Sequence, residues 1–119
     1  MNAHLGMPNS SVYAASKAAV ISLAKTLSAE WLPAGIRGNV VSPGPVTTPI
    51  YGKLGLDSAA LEATAAQIQA QVPLGRFDTP QEIASTALHL AAPESAFIVG
   101  TEIIADGGMS HALTSARRT

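Results

Sequence analysis

The chain has 119 residues, enough for one domain with a core and too few for two. Charged residues make up 13% of it and hydrophobic residues 47%, so there is much apolar surface to bury and little charge to cover the outside. The formal net charge of −1 offers no attraction to nucleic acid or an anionic membrane, and the lack of cysteine excludes disulfide and thiolate chemistry.

Residues 1–11 read as a loop, with Gly6, Pro8, Asn9, Ser10 and Ser11 as turn formers. The start, Met1-Asn2-Ala3-His4, lacks the basic beginning and apolar middle of a signal peptide. No apolar run approaches the roughly 18 residues of a membrane span, so a cytoplasmic protein without a membrane partner is expected. A long helix is predicted over 12–32, with Ala19, Leu23, Leu27 and Trp31 recurring along one face, stopped by Pro33 and Gly35. Residues 36–42 read as a short apolar strand ended by Pro43-Gly44-Pro45. Gly38 is out of place inside it, because glycine weakens a strand interior.

Residues 43–56 are loop, rich in Pro, Gly and Thr, and a second helix is predicted over 58–72, closed by Pro73. The third helix has the clearest start: Thr79 can cap, Pro80 takes the first helical position, and Glu82 completes a capping box. It should run to Ala91 and bury Ile83, Ala87 and Leu90. A short helical turn over 94–99 and a strand over 101–105 follow, the strand ended by an Asp106-Gly107-Gly108 turn. Residues 111–119 read as a flexible, polar tail. His4, His89 and His111 lie far apart with no ligand spacing, so no metal is expected.

Two apolar strands joined by helical crossovers imply an α/β fold with a parallel sheet. Two strands are a poor sheet, since parallel sheets need several partners and covered faces. Tyr13 and Lys17 stand one helical turn apart on one face. A free phenol titrates near pH ~10 and is a poor proton donor at neutrality, whereas a nearby ammonium favours the phenolate. Alone, Tyr-x-x-x-Lys is a common chance pair, and its plain interpretation is a helix-start tyrosine beside a solvated lysine.

The surrounding residues change that. The segment from Gly6 through Tyr13-Ala14-Ala15-Ser16-Lys17 to Val20 resembles the active-site segment of the short-chain dehydrogenase/reductase family. Gly35 to Thr48 resembles its strand and nicotinamide-side loop, Leu74-Gly75-Arg76-Phe77 with Thr79 to Ala84 the helix after its substrate lid, and Gly100 to Gly108 its last strand. The four matches follow the family's order up to about Ser110. The resemblance implies the C-terminal part of a Rossmann-like doubly wound parallel sheet, with only the last two strands and their helices present. Residues 1–110 would be a partial catalytic, substrate-side domain and 111–119 a tail. It implies an NAD(P)-dependent oxidoreductase acting on a small-molecule alcohol or ketone, a homo-oligomer in the full-length family. Tyr13 would be the general acid/base, and Lys17 would favour its phenolate and hydrogen-bond the nicotinamide ribose. Pro43 and Gly44 would face the nicotinamide, Val46 would offer backbone groups to its carboxamide, and Thr48 would contact the carboxamide or the phosphates. Residues 50–72 would form the lid.

Three family features are expected to be missing: the Gly-rich strand–turn–helix that seats the pyrophosphate, the residue that separates NAD from NADP, and the catalytic serine, which the family's spacing puts upstream of Met1. Loss of one donor to the reacting oxygen costs about 10²–10³ in rate. The expectation is a chain inactive alone, with an apolar unpaired edge at 36–42, a core weakened further at Gly38, and a tendency to aggregate. The alternative is a non-catalytic remnant or interaction module that associates through the 12–32 helix. A serine–lysine hydrolase would need Ser where Ala14 stands and is rejected.

Overall fold

The structure is a computed structural model and describes residues 4–48, 55 and 57–111. Helix α1 (Ser11–Trp31) continues into a 3-10 turn at Leu32–Ala34, and strand β1 (Val40–Pro43) follows. Helix α2 (Ser58–Ala70), helix α3 (Pro80–Ala91), a 3-10 turn at Pro93–Ser95 and strand β2 (Glu102–Ala105) complete the chain order. The strands pair in parallel, from Val40 opposite Glu102 to Pro43 opposite Ala105. This is the expected α/β arrangement, a partial one.

Helix α1 ends where proline and glycine were expected to end it. Gly35 takes the left-handed conformation at φ 76°, and its N–H donates to the Leu32 carbonyl at 2.9 Å. The face turned toward the rest of the chain is not the expected stripe. Ala14, Ile21, Ala24 and Leu27 are half-buried and Ser28 is buried, whereas Ala19, Leu23 and Trp31 are exposed.

Strand β1 is shorter than expected because residues 36–39 are engaged otherwise. Gly38 lies ahead of the strand: its N–H donates to Ser28 Oγ at 3.3 Å, and its carbonyl accepts from Gly100 N–H at 2.8 Å. A Cβ there would sit 3.4 Å from both the Ala24 carbonyl oxygen and Ser28 Cβ. These are ordinary contact distances, and Gly38 precedes β1, which corrects only the expectation that it lies inside the strand. Asn39 brackets the entry to β2, donating to the Ile98 carbonyl at 3.1 Å and accepting from Thr101 N–H at 3.0 Å. The Arg37 guanidinium collects three carbonyls after α3: Ser95 at 3.0 Å, Ile98 at 3.2 Å and Ala92 at 3.4 Å.

Helix α2 is capped by Asp57, which accepts from Ala60 N–H at 2.7 Å. It stops before the expected residue 72, because Pro73 disfavours helical backbone at the residue preceding it. Helix α3 starts as expected: the Thr79 hydroxyl and Glu82 carboxylate bond each other's backbone N–H groups, with Pro80 inside the first turn. Its inner face is Ile83, Thr86 and Leu90, while Ala87 is exposed, contrary to expectation.

The apolar core is thin. Among the described residues the buried hydrophobic side chains are Val72 and Leu90, and the buried polar ones are Ser28, Ser42, Ser95 and Asp106. Val12, Leu88 and Phe97 are among the large apolar side chains left exposed. No described helix is long and apolar enough to cross a membrane.

Candidate active site

Tyr13 and Lys17 face one another across a turn of α1. The Lys17 ammonium lies over the Tyr13 ring, 5.1 Å from its centroid, in cation–π geometry. Both border an open cleft of about 470 Å³. Val20 and Ile21 of α1 continue that wall; Ser42, Pro43, Gly44 and Pro45 form the opposite side, where β1 ends. Ile68 and Gln71 at the end of α2, with Met7, Met109 and the β1 residues Val40 and Val41, complete the lining.

Two contacts hold the Pro43–Pro45 wall in place. Gly44 N–H extends the ladder to the Ala105 carbonyl at 2.9 Å. A Cβ on Gly44 would lie 2.8 Å from Asp106 Cα, so only glycine fits there. Asp106 is buried, and its carboxylate accepts from Gly108 N–H at 3.0 Å, Ser110 N–H at 2.9 Å and the Ser110 hydroxyl. Burial pushes this carboxyl up, but the bonds from Ser110 and Gly108 outweigh it and leave it below the ordinary aspartate range. Asp106-Gly107-Gly108 is thus a turn, as expected, and it carries Met109 into the cleft.

The second contact was not legible in the sequence. Val46 forms a parallel bridge with Asp78: Asp78 N–H donates to the Pro45 carbonyl at 2.9 Å and Thr47 N–H to the Asp78 carbonyl at 3.0 Å. Because backbone groups alternate sides along an extended chain, the N–H and C=O of Val46 itself point away from Asp78. They are a donor and an acceptor of the kind a carboxamide needs. Asp78 sits beside a clamp in which Arg76 binds Glu82 through its two terminal guanidinium nitrogens at 2.9 and 2.7 Å. The hydrogen bonds from Arg76, then those from Asp78 and the Thr79 N–H, hold the Glu82 carboxyl far below its usual range. Asp78 is pushed up, first by burial and then by Glu82.

A further polar cluster underlies the cleft. Ser42 donates to Glu102 Oε1 at 2.7 Å, and His4 Nε2 meets the same oxygen at 2.6 Å. Burial raises the Glu102 carboxyl, and the bonds to Ser42 and His4 bring it below its ordinary value. These partners are too far apart in the chain for any local pattern to announce them.

Of the expected site residues, Tyr13, Lys17, Pro43 and Gly44 share one cleft, whereas Val46 and Thr48 do not line it. Thr48 is exposed. The expected lid falls partly on residues 50–54 and 56, and most of the expected tail on 112–119, all outside the described residues. Ser10 and Ser16 bond local carbonyls, of Pro8 and Tyr13.

Residues 1–110 match the family described as enoyl-(acyl carrier protein) reductase. The chain is 40% identical over 110 residues to 2-keto-3-deoxy-L-fuconate dehydrogenase of Xanthomonas campestris, covering 89% of this chain and 36% of that protein. Among solved structures it is similar to ligand-free aldohexose dehydrogenase of Thermoplasma acidophilum, with TM-score 0.85, 34% identity, and coverage of 94% of this chain and 46% of that one. A short chain dehydrogenase from Bacillus anthracis matches with TM-score 0.64 and 40% identity over 81% of this chain and 35% of that one. The chain spans less than half the length of each of these relatives.

Proposed function

The chain belongs to the short-chain dehydrogenase/reductase family, and from that premise we propose that it is the nicotinamide- and substrate-side part of an NAD(P)-dependent oxidoreductase interconverting an alcohol and a ketone. The observation that carries this reading is the single cleft shared by Tyr13, Lys17, Pro43 and Gly44. Tyr13 is the general acid/base: its phenol gives a proton to the carbonyl oxygen in reduction, and its phenolate takes one from the alcohol in oxidation. The Lys17 ammonium stabilises that phenolate and hydrogen-bonds the cofactor ribose. The nicotinamide, when bound, supplies or accepts the hydride.

The residues present fit the nicotinamide end of such a cofactor. Pro43 and Gly44 form a wall without a protruding side chain at Gly44, the backbone groups of Val46 turned away from Asp78 suit the carboxamide, and Thr48 contacts the carboxamide or a phosphate. Residues 50–72 act as the lid, residues 1–110 as the catalytic, substrate-side domain, and 111–119 as a tail. No described segment combines a strand, a Gly-rich turn and a helix N-terminus to seat the pyrophosphate. Turnover therefore needs the nucleotide-binding part that lies in the length of the relatives this chain does not span. The enzyme works in the cytoplasm as a homo-oligomer. The test is binding of reduced nicotinamide mononucleotide, followed by its fluorescence. Support is binding that weakens about tenfold or more in Lys17→Met; equal binding by both chains overturns the reading.

One observation favours a second reading, an interaction module. Val12, Leu23 and Trp31 of α1, outside the cleft lining, are exposed at 83%, 56% and 42%. That face suits association with a full-length member of the family. A pull-down with such a member, abolished by Leu23→Asp while nicotinamide binding is unchanged, would distinguish the two.

A further inference from the structure

The chemistry of the cleft away from Tyr13 narrows its substrate. Met7, Met109, Ile68 and Val20 present thioether and branched alkyl groups, which adapt to an apolar body of irregular shape. Among the described lining residues Lys17 alone carries a charge, and its ammonium already lies over the Tyr13 ring. Among the described lining residues a carboxylate or phosphate pressed against the methionines would find no second cation, and an unpaired charge strongly opposes burial.

The neutral polar side chains of the cleft are not equivalent. The Ser42 hydroxyl proton is committed to Glu102 at 2.7 Å. Gln69 of α2 lies outside the cleft lining and donates its amide to the Gly75 carbonyl at 2.9 Å. Gln71 lines the cleft, and its backbone N–H is bonded to the Ile68 carbonyl at 3.0 Å, which fixes where the side chain starts. Among the described residues its amide has no hydrogen-bond partner. An amide offers both a donor and an acceptor, so it can bind a hydroxyl or a carbonyl.

Resting on the oxidoreductase reading, we propose that the cleft takes an uncharged, apolar-bodied alcohol or ketone bearing a second hydroxyl or carbonyl group, and that Gln71 is the specificity-determining residue that binds this second group. Ligand-observed saturation-transfer NMR on the full chain tests it, with three probes: trans-1-decalone, a hydroxylated decalone and a carboxylated decalone. The wild-type chain binds the hydroxylated probe about fivefold better than the plain ketone, and the carboxylated probe at least about tenfold more weakly than either. Gln71→Leu, at the exposed C-terminal cap of α2, inverts the preference between the first two probes. A merely structural role for Gln71 would weaken both alike.

The inference is overturned if the carboxylated probe binds as well as the neutral ones, if Gln71→Leu leaves the preference unchanged, or if no decalone binds. Reduced nicotinamide mononucleotide in the same samples separates the two levels. Its Lys17-dependent binding without decalone discrimination sinks this inference alone, and its failure to bind sinks the oxidoreductase reading itself.

Discussion

Helix α3 opens with a reciprocal Thr79–Glu82 cap and a proline in its first turn, whereas α1 opens after Ser10 with no side-chain bond to its N-terminus. The shorter helix, 12 residues against 21, buries Leu90, while the longer one buries only Ser28. Short-range signals specify α3 almost completely. Helix α1 instead leaves Val12, Leu23 and Trp31 exposed. The chemistry sits on the second kind of helix. Tyr13 and Lys17 belong to its first two turns, and the wall opposite them is held by the well-specified side, through Asp106 and Asp78.

The contrast breaks first where the two sides meet. Gly44→Ala forces a Cβ against the backbone of Asp106, and a loss of about 3 kcal/mol is expected in chemical denaturation. The cleft wall should move with it, so nicotinamide binding should fall in the same variant. Next, Thr79→Ala should cost about 1 kcal/mol and speed amide exchange at the start of α3, while Ser10→Ala changes neither. Equal effects from the two substitutions would refute the difference drawn between the helices.

Acid should act on the well-specified side, with a smaller effect because several of its charges are exposed. Glu82, Glu102 and Asp106 have folded-state values below their unfolded ones. Their contribution is complete above the unfolded values near pH ~4 and is lost as pH falls through the folded ones. Asp78, pushed up in the fold, works in the opposite direction and is relieved by acid. Thermal melts from pH 7 down to pH ~2 should therefore show destabilisation starting below about pH 4. The smallest effect belongs to α1: Leu23→Asp should shift the stability of the chain by no more than about 0.5 kcal/mol, because the side chain is 56% exposed. Dye binding to exposed apolar surface should fall in the same variant.

Much of the fold was legible where the determinants were local. The capping box, the Pro33–Gly35 stop and the Asp106-Gly107-Gly108 turn rest on neighbouring residues and appear as expected, and the parallel pairing follows from the order of strands and helical crossovers. The Tyr13–Lys17 pair needs only helical spacing, and Pro43-Gly44 follows from the strand it ends. What escaped the sequence is tertiary: the inward face of α1 follows Ile21, Ala24 and Ser28, where the buried Ser28 hydroxyl accepts from the Gly38 N–H. The Val46–Asp78 bridge, the Arg37 carbonyl cluster and the Ser42–Glu102–His4 cluster join residues that no local pattern relates.

The segment just past β1 also sets where this scaffold can grow. Gly44 is tied to Ala105, Pro45 to Asp78, and Thr47 to Asp78 again, so an inserted residue anywhere from 44 to 47 would break at least one of these ties and shift the next. Beyond Thr47 none of the three is disturbed. Loop transplants between relatives, or library designs that vary loop length, should therefore place their splice point after Thr47 and keep Pro43 to Thr47 as an invariant cassette.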